Sequence, residues 1–144
     1  MNLEIILAPI LTLIVVQAIK LATDGIKGNF DVRHLVNTYG GMPSSHTAFV
    51  VSLTSMIGFK EGVSCAAFAV AATFSLLFIS DAAIFRRHVG IYGQTLKKLI
   101  DKLPDLEKKE FPEIQTKLGH TLLQIIVGGL IGFTIAFLIN LLHK

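Results

Sequence analysis

The chain has 144 residues, of which 52% are hydrophobic and only 16% are Asp, Glu, Lys or Arg. Soluble domains are usually nearer a quarter charged, so this composition disfavours soluble classes, nucleic-acid-binding modules included, and favours a membrane protein. The single cysteine, Cys65, excludes a disulfide within the chain, and no grouping of Cys and His indicates a metal site or a cofactor. The formal net charge is +3, and membrane proteins collect basic residues beside their spans.

The first predicted element is an apolar run near the N-terminus. Residues 3–22 form a stretch of about 20 residues, the length that an α-helix needs to cross the hydrocarbon core of a bilayer. A cleaved signal peptide is the alternative interpretation. It would require a positively charged start, whereas the first four residues contain no Lys or Arg.

Two further apolar runs follow a loop that contains Asn, Gly and Pro. The second predicted span covers about 44–59 and ends at the charged turn Lys60-Glu61-Gly62. It is short, so neighbouring helices are expected to shield part of it. The third predicted span covers 62–82 and is rich in Ala, Ser and Gly, which allow membrane helices to approach closely.

The polar stretch 85–118 precedes the last apolar run. Apolar residues at helical spacing within it, such as Ile91, Leu96 and Leu99, predict an amphipathic helix at the membrane interface. Residues 119–142 form the fourth predicted span. The fold class is therefore all-α, an integral membrane bundle of about four transmembrane helices plus an interfacial helix, in one domain over 1–144. A soluble helical bundle is the alternative, but charge-free runs this long are hard to explain without lipid.

The basic residues predict the orientation of this bundle in the membrane. With four spans, loops 23–43 and 85–118 lie on one side, and that side holds eleven of the 13 Lys and Arg residues. The eleven are Lys20, Lys27, Arg33, Arg86, Arg87, Lys97, Lys98, Lys102, Lys108, Lys109 and Lys117, against Lys60 and Lys144. Because basic loops stay in the cytoplasm, we expect both loops to be cytoplasmic in a bacterial-type inner or plasma membrane.

Polar residues suited to phosphate chemistry lie at the cytoplasmic ends of all four predicted spans. They are Lys20; Ser44, Ser45 and His46; Asp81, Arg86 and Arg87; and His120 with Gln124. A helix N-terminus with two hydroxyls binds phosphate, and Arg and Lys add positive charge. Histidine titrates near neutral pH and can serve as nucleophile or general acid. Gln124 is four residues after His120, so it could bond that ring across one helix face.

Each of these residues also has a purely structural interpretation. Ser44 and Ser45 could simply cap a helix. The basic residues could only set topology or anchor anionic lipid. His88, beside the two arginines, fits an ordinary interfacial residue.

Three motifs resemble those of a known family. The strings GGMPSSHTAFV at 40–50, DAAIFRR at 81–87 and LGHTLLQIIVGGLIG at 118–132 are similar to the divergent branch of the type-2 phosphatidic acid phosphatase superfamily, which is related to acid phosphatases and vanadium haloperoxidases. The resemblance covers most of the chain between residues 17 and 132.

The resemblance implies a metal-independent phosphatase that acts through a phosphohistidine. His120 would attack phosphorus and His46 would protonate the leaving oxygen. The residues that would neutralise the phosphoryl oxygens are Lys20, Ser44, Ser45 and either Arg86 or Arg87. The implied partner is a lipid phosphate substrate, such as phosphatidate, phosphatidylglycerophosphate or a polyprenyl phosphate, within the membrane lipid.

The sequence departs from the superfamily pattern at two places near His120. Ile114 stands where an arginine is expected, and Gln124 stands where an acid is expected. A glutamine cannot stabilise an imidazolium as a carboxylate does, so Asp81 is the candidate substitute. The alternative function is a weak or inactive relative that binds lipid phosphates as a structural, sensing or transport component. Vanadate-dependent oxidation is a third interpretation, but nothing in the sequence indicates handling of an oxidant.

Four helices are few to enclose a polar site, which predicts a possible homodimer. The candidate contacts are the third span and Gly128, Gly129 and Gly132 of the fourth.

Overall fold

The computed structural model describes residues 3–25, 42–104, 111 and 121–143, and within them the regular structure is entirely helical. The α-helices are α1 (Glu4–Gly25), α2 (Ser45–Glu61), α3 (Ala66–Ser80), α4 (Arg86–Ile100) and α5 (Leu122–Leu142). A π-helical turn, Asp81–Phe85, joins α3 to α4. The predicted all-α membrane bundle is confirmed.

Three helical stretches among the described residues are long and apolar enough to cross a membrane. They are Glu4–Thr23, Ala66–Ile100 and Leu122–Leu142. Helix α2 has 17 residues, so it is about 25 Å long at about 1.5 Å per residue and falls short of a hydrocarbon core of about 30 Å.

The short helix α2 lies in the middle of the bundle. It packs against α1, α3 and α5, and α1 also packs against α5. Its buried residues include Ala48, Ser52 and Met56, which recur every four residues. The neighbouring helices therefore shield much of the helix that is too short to span by itself.

Hydroxyl groups join α2 to two of its neighbours. Thr12 Oγ1 on α1 donates to Ser52 Oγ on α2 at 2.9 Å, and both residues are fully buried. Ser75 Oγ on α3 donates to the Val50 carbonyl at 3.2 Å, while its oxygen lies 2.8 Å from Thr54 Oγ1. Such hydrogen bonds between helices satisfy polar groups where lipid offers no partner.

Helices α2 and α5 approach each other closely. A Cβ added to Gly128 would lie 2.5 Å from the Ser44 carbonyl oxygen, and one added to Gly132 would collide with the backbone of Ala48. These two glycines, one turn apart, let the two backbones touch. Gly128 and Gly132 therefore serve packing within the chain. The homodimer stays a prediction, and α3, the other expected contact, has only Ala71 and Ser75 buried.

The helix expected at the membrane interface is a continuation of α3. Residues 86–100 are helical, and they extend α3 through the π-helical turn with no break after residue 82. The helix begins at Ala66, because Cys65 caps its first turn by accepting a hydrogen bond from Phe68 N–H at 3.3 Å. Helix α5 likewise begins at Leu122, three residues after the expected start.

The close contact at Gly132 predicts a specific stability defect. Gly132→Ala should lower the free energy of unfolding by about 1–3 kcal/mol, because its methyl group forces α5 away from Ala48. The matched control is Gly129→Ala. Its Cβ would lie 3.8 Å from Thr47 and Val51, and alanine favours a helix over glycine by up to about 1 kcal/mol. Thermal unfolding in detergent measures the stability of both variants, and equal stabilities of Gly132→Ala and Gly129→Ala would contradict the proposed contact.

Candidate functional site

Polar residues from several helix ends meet at the end of the bundle where α2 begins. The charges of Arg86, Lys20 and Asp81 act on the His46 imidazole. Arg86 begins α4, Asp81 begins the π-helical turn and Lys20 lies on α1. The backbone N–H of Ser44 donates to the Gln124 carbonyl at 3.1 Å and joins the starts of α2 and α5. We call Lys20, Ser44, Ser45, His46, Asp81 and Arg86 the polar cluster.

Ser44 precedes α2 as its N-cap residue, but its hydroxyl does not cap the helix. The hydroxyl lies 3.0 Å from Thr47 Oγ1, and Ser44 is fully buried. Its carbonyl accepts the first helical hydrogen bond, from Ala48 N–H at 3.0 Å. The first-turn N–H groups of α2 therefore donate no hydrogen bond to this side chain, and a helix start of this kind suits an anion.

Ser45 and His46 occupy the first turn of α2. The Ser45 side chain is 93% buried, since its exposure is 7%, and its hydroxyl oxygen has no hydrogen-bond partner in the described part of the chain. An unsatisfied buried polar group costs about 1–3 kcal/mol, which a bound ligand that hydrogen-bonds to it would offset. His46 is exposed, so its ring is open to a ligand at this end.

Asp81 and Arg86 form an ion pair across the π-helical turn. Arg86 Nε donates to Asp81 Oδ2 at 2.7 Å, and the two side chains are 34% and 39% exposed. In an α-helix, residues five apart point about 140° away from each other. In the π-helical turn Arg86 N–H bonds to the Asp81 carbonyl, an i→i+5 pattern that brings both side chains to one side. The spacing alone did not indicate this pairing.

The ion pair leaves the terminal nitrogens of Arg86 for another partner. Arginine recognises phosphate best through paired N–H groups, and the contact with Asp81 uses only Nε. Asp81 therefore orients the guanidinium and reduces its freedom. The expected support of His120 by Asp81 stays a prediction, because His120 lies outside the described residues.

The neighbouring residues Arg87 and His88 take no recorded part in the cluster. Both are exposed, and neither is among the charges that act on His46. The His88 ring lies 6.4 Å from the Tyr92 ring, one turn further along α4. Of the two candidate arginines, Arg86 is the one that the structure brings to His46.

Gln124 forms a capping box with Thr121 at the start of α5. Its Oε1 accepts a hydrogen bond from Thr121 N–H at 2.8 Å, and Thr121 Oγ1 accepts one from Gln124 N–H at 3.3 Å. The Thr-x-x-Gln pattern is the sequence signal for this cap. Helix α5 begins after its N-cap residue Thr121. His120 lies outside the described residues, so the expected contact between its ring and Gln124 stays a prediction.

The polar cluster is suited to binding an anion. It combines the cations Lys20 and Arg86, the N-terminus of α2 and the Ser45 hydroxyl, with Asp81 partly balancing the charge. Within the described residues, no group of three or more His, Cys, Asp or Glu residues could hold a metal ion.

Known proteins resemble this chain over most of its length. A family model described as "Divergent PAP2 family" matches residues 1–135. A protein of Bacillus subtilis (strain 168) described as "Uncharacterized membrane protein YuiD" is 30% identical over 145 residues, covering 93% of this chain and 92% of that protein. No solved structure matches significantly. The chain is thus an integral membrane protein that belongs to the divergent PAP2 family.

Proposed function

We propose that this protein hydrolyses the phosphomonoester or pyrophosphate group of a membrane lipid through a phosphohistidine. The observation that carries the proposal is the start of α2, where the buried Ser45 hydroxyl has no partner among the described residues and the charges of Lys20 and Arg86 act on His46. Membership of the divergent PAP2 family supports the same chemistry. The candidate substrates are phosphatidate, phosphatidylglycerophosphate and polyprenyl phosphates.

Each residue of the cluster has a distinct role in this proposal. Lys20 and Arg86 neutralise the phosphoryl oxygens, and the start of α2 with Ser45 donates hydrogen bonds to them. His46 protonates the leaving oxygen. His120 attacks phosphorus, the P–O bond to the lipid breaks, and water then cleaves the P–N bond to release phosphate. The role of His120 rests on the family resemblance.

The distribution of basic residues supports a cytoplasmic location for this site. Eleven of 13 Lys and Arg residues fall in the sequence regions expected on the side of the polar cluster. We propose that the protein resides in the inner or plasma membrane with the cluster facing the cytoplasm.

Labelling of a cysteine introduced at exposed Lys97, in a Cys65→Ser background, tests this orientation in whole cells. A membrane-permeant thiol reagent should label this cysteine, whereas an impermeant thiol reagent should not.

One alternative deserves a test because a specific contact favours it. Gln124 Oε1 is bonded to the backbone of Thr121 and Asp81 is bonded to Arg86. Within the described residues, the partners of these two groups are thus an arginine and a backbone N–H, whereas a carboxylate that orients a catalytic histidine raises catalytic rates strongly. The alternative is a protein that binds lipid phosphates with little or no turnover.

The first prediction concerns His46. Purified protein in detergent should release phosphate from at least one of the three candidate lipids, and His46→Asn should lower kcat by about 10²–10⁴-fold through loss of the general acid. His88→Asn is the matched control, because this exposed histidine lies outside the cluster. Absence of phosphate release from all three lipids, under conditions in which an active relative releases it, would refute the enzymatic proposal.

The second prediction concerns the ion pair. Arg86→Gln should lower kcat/KM by about 10²-fold or more, and Asp81→Asn should lower it less. The double variant should lose no more kcat/KM than Arg86→Gln alone. This non-additivity corresponds to a coupling energy of about 0.5–3 kcal/mol.

Two controls accompany this double-mutant cycle of Arg86 and Asp81. Arg87→Gln should leave kcat/KM nearly unchanged, and thermal stability should change by less than about 1 kcal/mol in Asp81→Asn, since the pair is partly exposed. Strictly additive losses of kcat/KM would show that Asp81 does not act through Arg86.

The third prediction separates the two functions. Gln124→Glu preserves the capping box, because one carboxylate oxygen can accept the Thr121 N–H while the other stays open. In a slow enzyme this change should raise kcat, since a carboxylate stabilises an imidazolium better than an amide does. In a protein that only binds, it should alter phosphatidate affinity and produce no turnover.

A further inference from the structure

An apolar groove runs between α2 and α3. It encloses about 530 Å³. Its α2 side is formed by the stripe Phe49, Leu53 and Ile57, spaced by four residues, so these side chains share one helix face. Among its described lining residues only Ser75 is polar, and that hydroxyl is bonded to Val50 O and Thr54. The groove therefore offers hydrocarbon contacts and no free hydrogen-bonding group.

Both walls of the groove lead to the polar cluster. On α2, Phe49 lies three residues, or about one turn, after His46. On the other wall, Phe78 lies three residues before Asp81. An occupant of the groove would thus end beside His46 and the Asp81–Arg86 pair. These residues belong to the polar cluster, whose cations are the complement of an anionic group.

The length of the groove fits one leaflet of a bilayer. Its α3 wall runs from Ala66 to Phe78, which is about 18 Å at about 1.5 Å per residue. Half of a hydrocarbon core of about 30 Å is about 15 Å. A fatty acyl chain of a glycerophospholipid covers that depth, whereas a long polyprenyl chain would extend well beyond the groove.

We propose that this groove binds one fatty acyl chain of a phosphatidate-type glycerophospholipid whose phosphate lies at the polar cluster. The part of the proposal that concerns the phosphate rests on the proposed function. The groove selects the lipid by chain length and shape, and the cluster selects it by charge. The phosphate and the chain are then held by adjoining stretches of the same two helices.

The test fills the groove and leaves the cluster intact. Ala67 lines the groove and is exposed, so Ala67→Phe blocks it without disturbing buried packing. Ala69→Phe is the matched control, because Ala69 is exposed on the same helix and does not line the groove. Phe74→Ala, which widens the groove, is a second variant with the opposite change in volume.

Lipid binding is measured on the detergent-purified full chain by native mass spectrometry. The probes are dipalmitoyl phosphatidate, dihexanoyl phosphatidate, whose chains are too short to fill the groove, and undecaprenyl phosphate. Ala67→Phe should weaken binding of the dipalmitoyl lipid at least fivefold relative to the native chain and to Ala69→Phe. Binding of the dihexanoyl lipid should change less than twofold in every variant, and Phe74→Ala should also weaken the long-chain lipid.

Three outcomes would overturn the proposal. They are equal effects of Ala67→Phe and Ala69→Phe, equal effects on long and short chains, and a groove-dependent loss confined to undecaprenyl phosphate. Phosphate release measured on the same samples tests the proposed function separately. Chain-dependent binding without hydrolysis supports the groove and refutes the enzyme, whereas hydrolysis without a groove effect does the reverse.

Discussion

The contact between α2 and α5 at Gly128 and Gly132 is the constraint on which the rest of the structure depends. Because neither glycine has a side chain, the start of α2 rests directly on the backbone of α5. That contact positions the Ser44 N–H against the Gln124 carbonyl. The first turn of α2, which carries Ser45 and His46, is fixed by it. A shift of α5 by the width of one methyl group would move the polar cluster as well as the core.

The π-helical turn is the second element that positions the cluster. It adds one residue to a helical turn between α3 and α4, and this addition rotates Arg86 onto the side that carries Asp81. The turn has a cost, since its backbone hydrogen bonds are less favourable than those of an α-helix, and such turns are often found at functional sites. Here it gives one guanidinium a defined orientation beside His46.

The sequence was sufficient to predict much of the fold and to identify the residues of the cluster as candidates, and the reasons are physical. Long apolar runs require helices in lipid, so the bundle and its four apolar segments follow from composition. The sequence suggests that Lys20, His46 and Arg86 are neighbours, because helix ends at one side of a membrane lie at one level. The packing partner of Gly128 and Gly132 could not be predicted, because a small-residue motif fits a contact within a chain as well as one between chains. The pairing of Asp81 with Arg86 could not be predicted either, because it requires a π-helical turn, and the spacing of the two residues does not indicate one.

The continuous helix from Ala66 to Ile100 has a consequence for the depth of the cluster. Residues 66–80 contain no charged side chain, whereas residues 86–100 begin with two arginines, so the boundary of the hydrocarbon falls near Asp81 and Arg86. Arg86 bonds back to Asp81, so its guanidinium lies at this boundary. A lipid could reach this position by lateral diffusion alone, with its headgroup hydrated and its acyl chains in the hydrocarbon core of the bilayer. The protein would then have no need to lift its ligand out of the membrane.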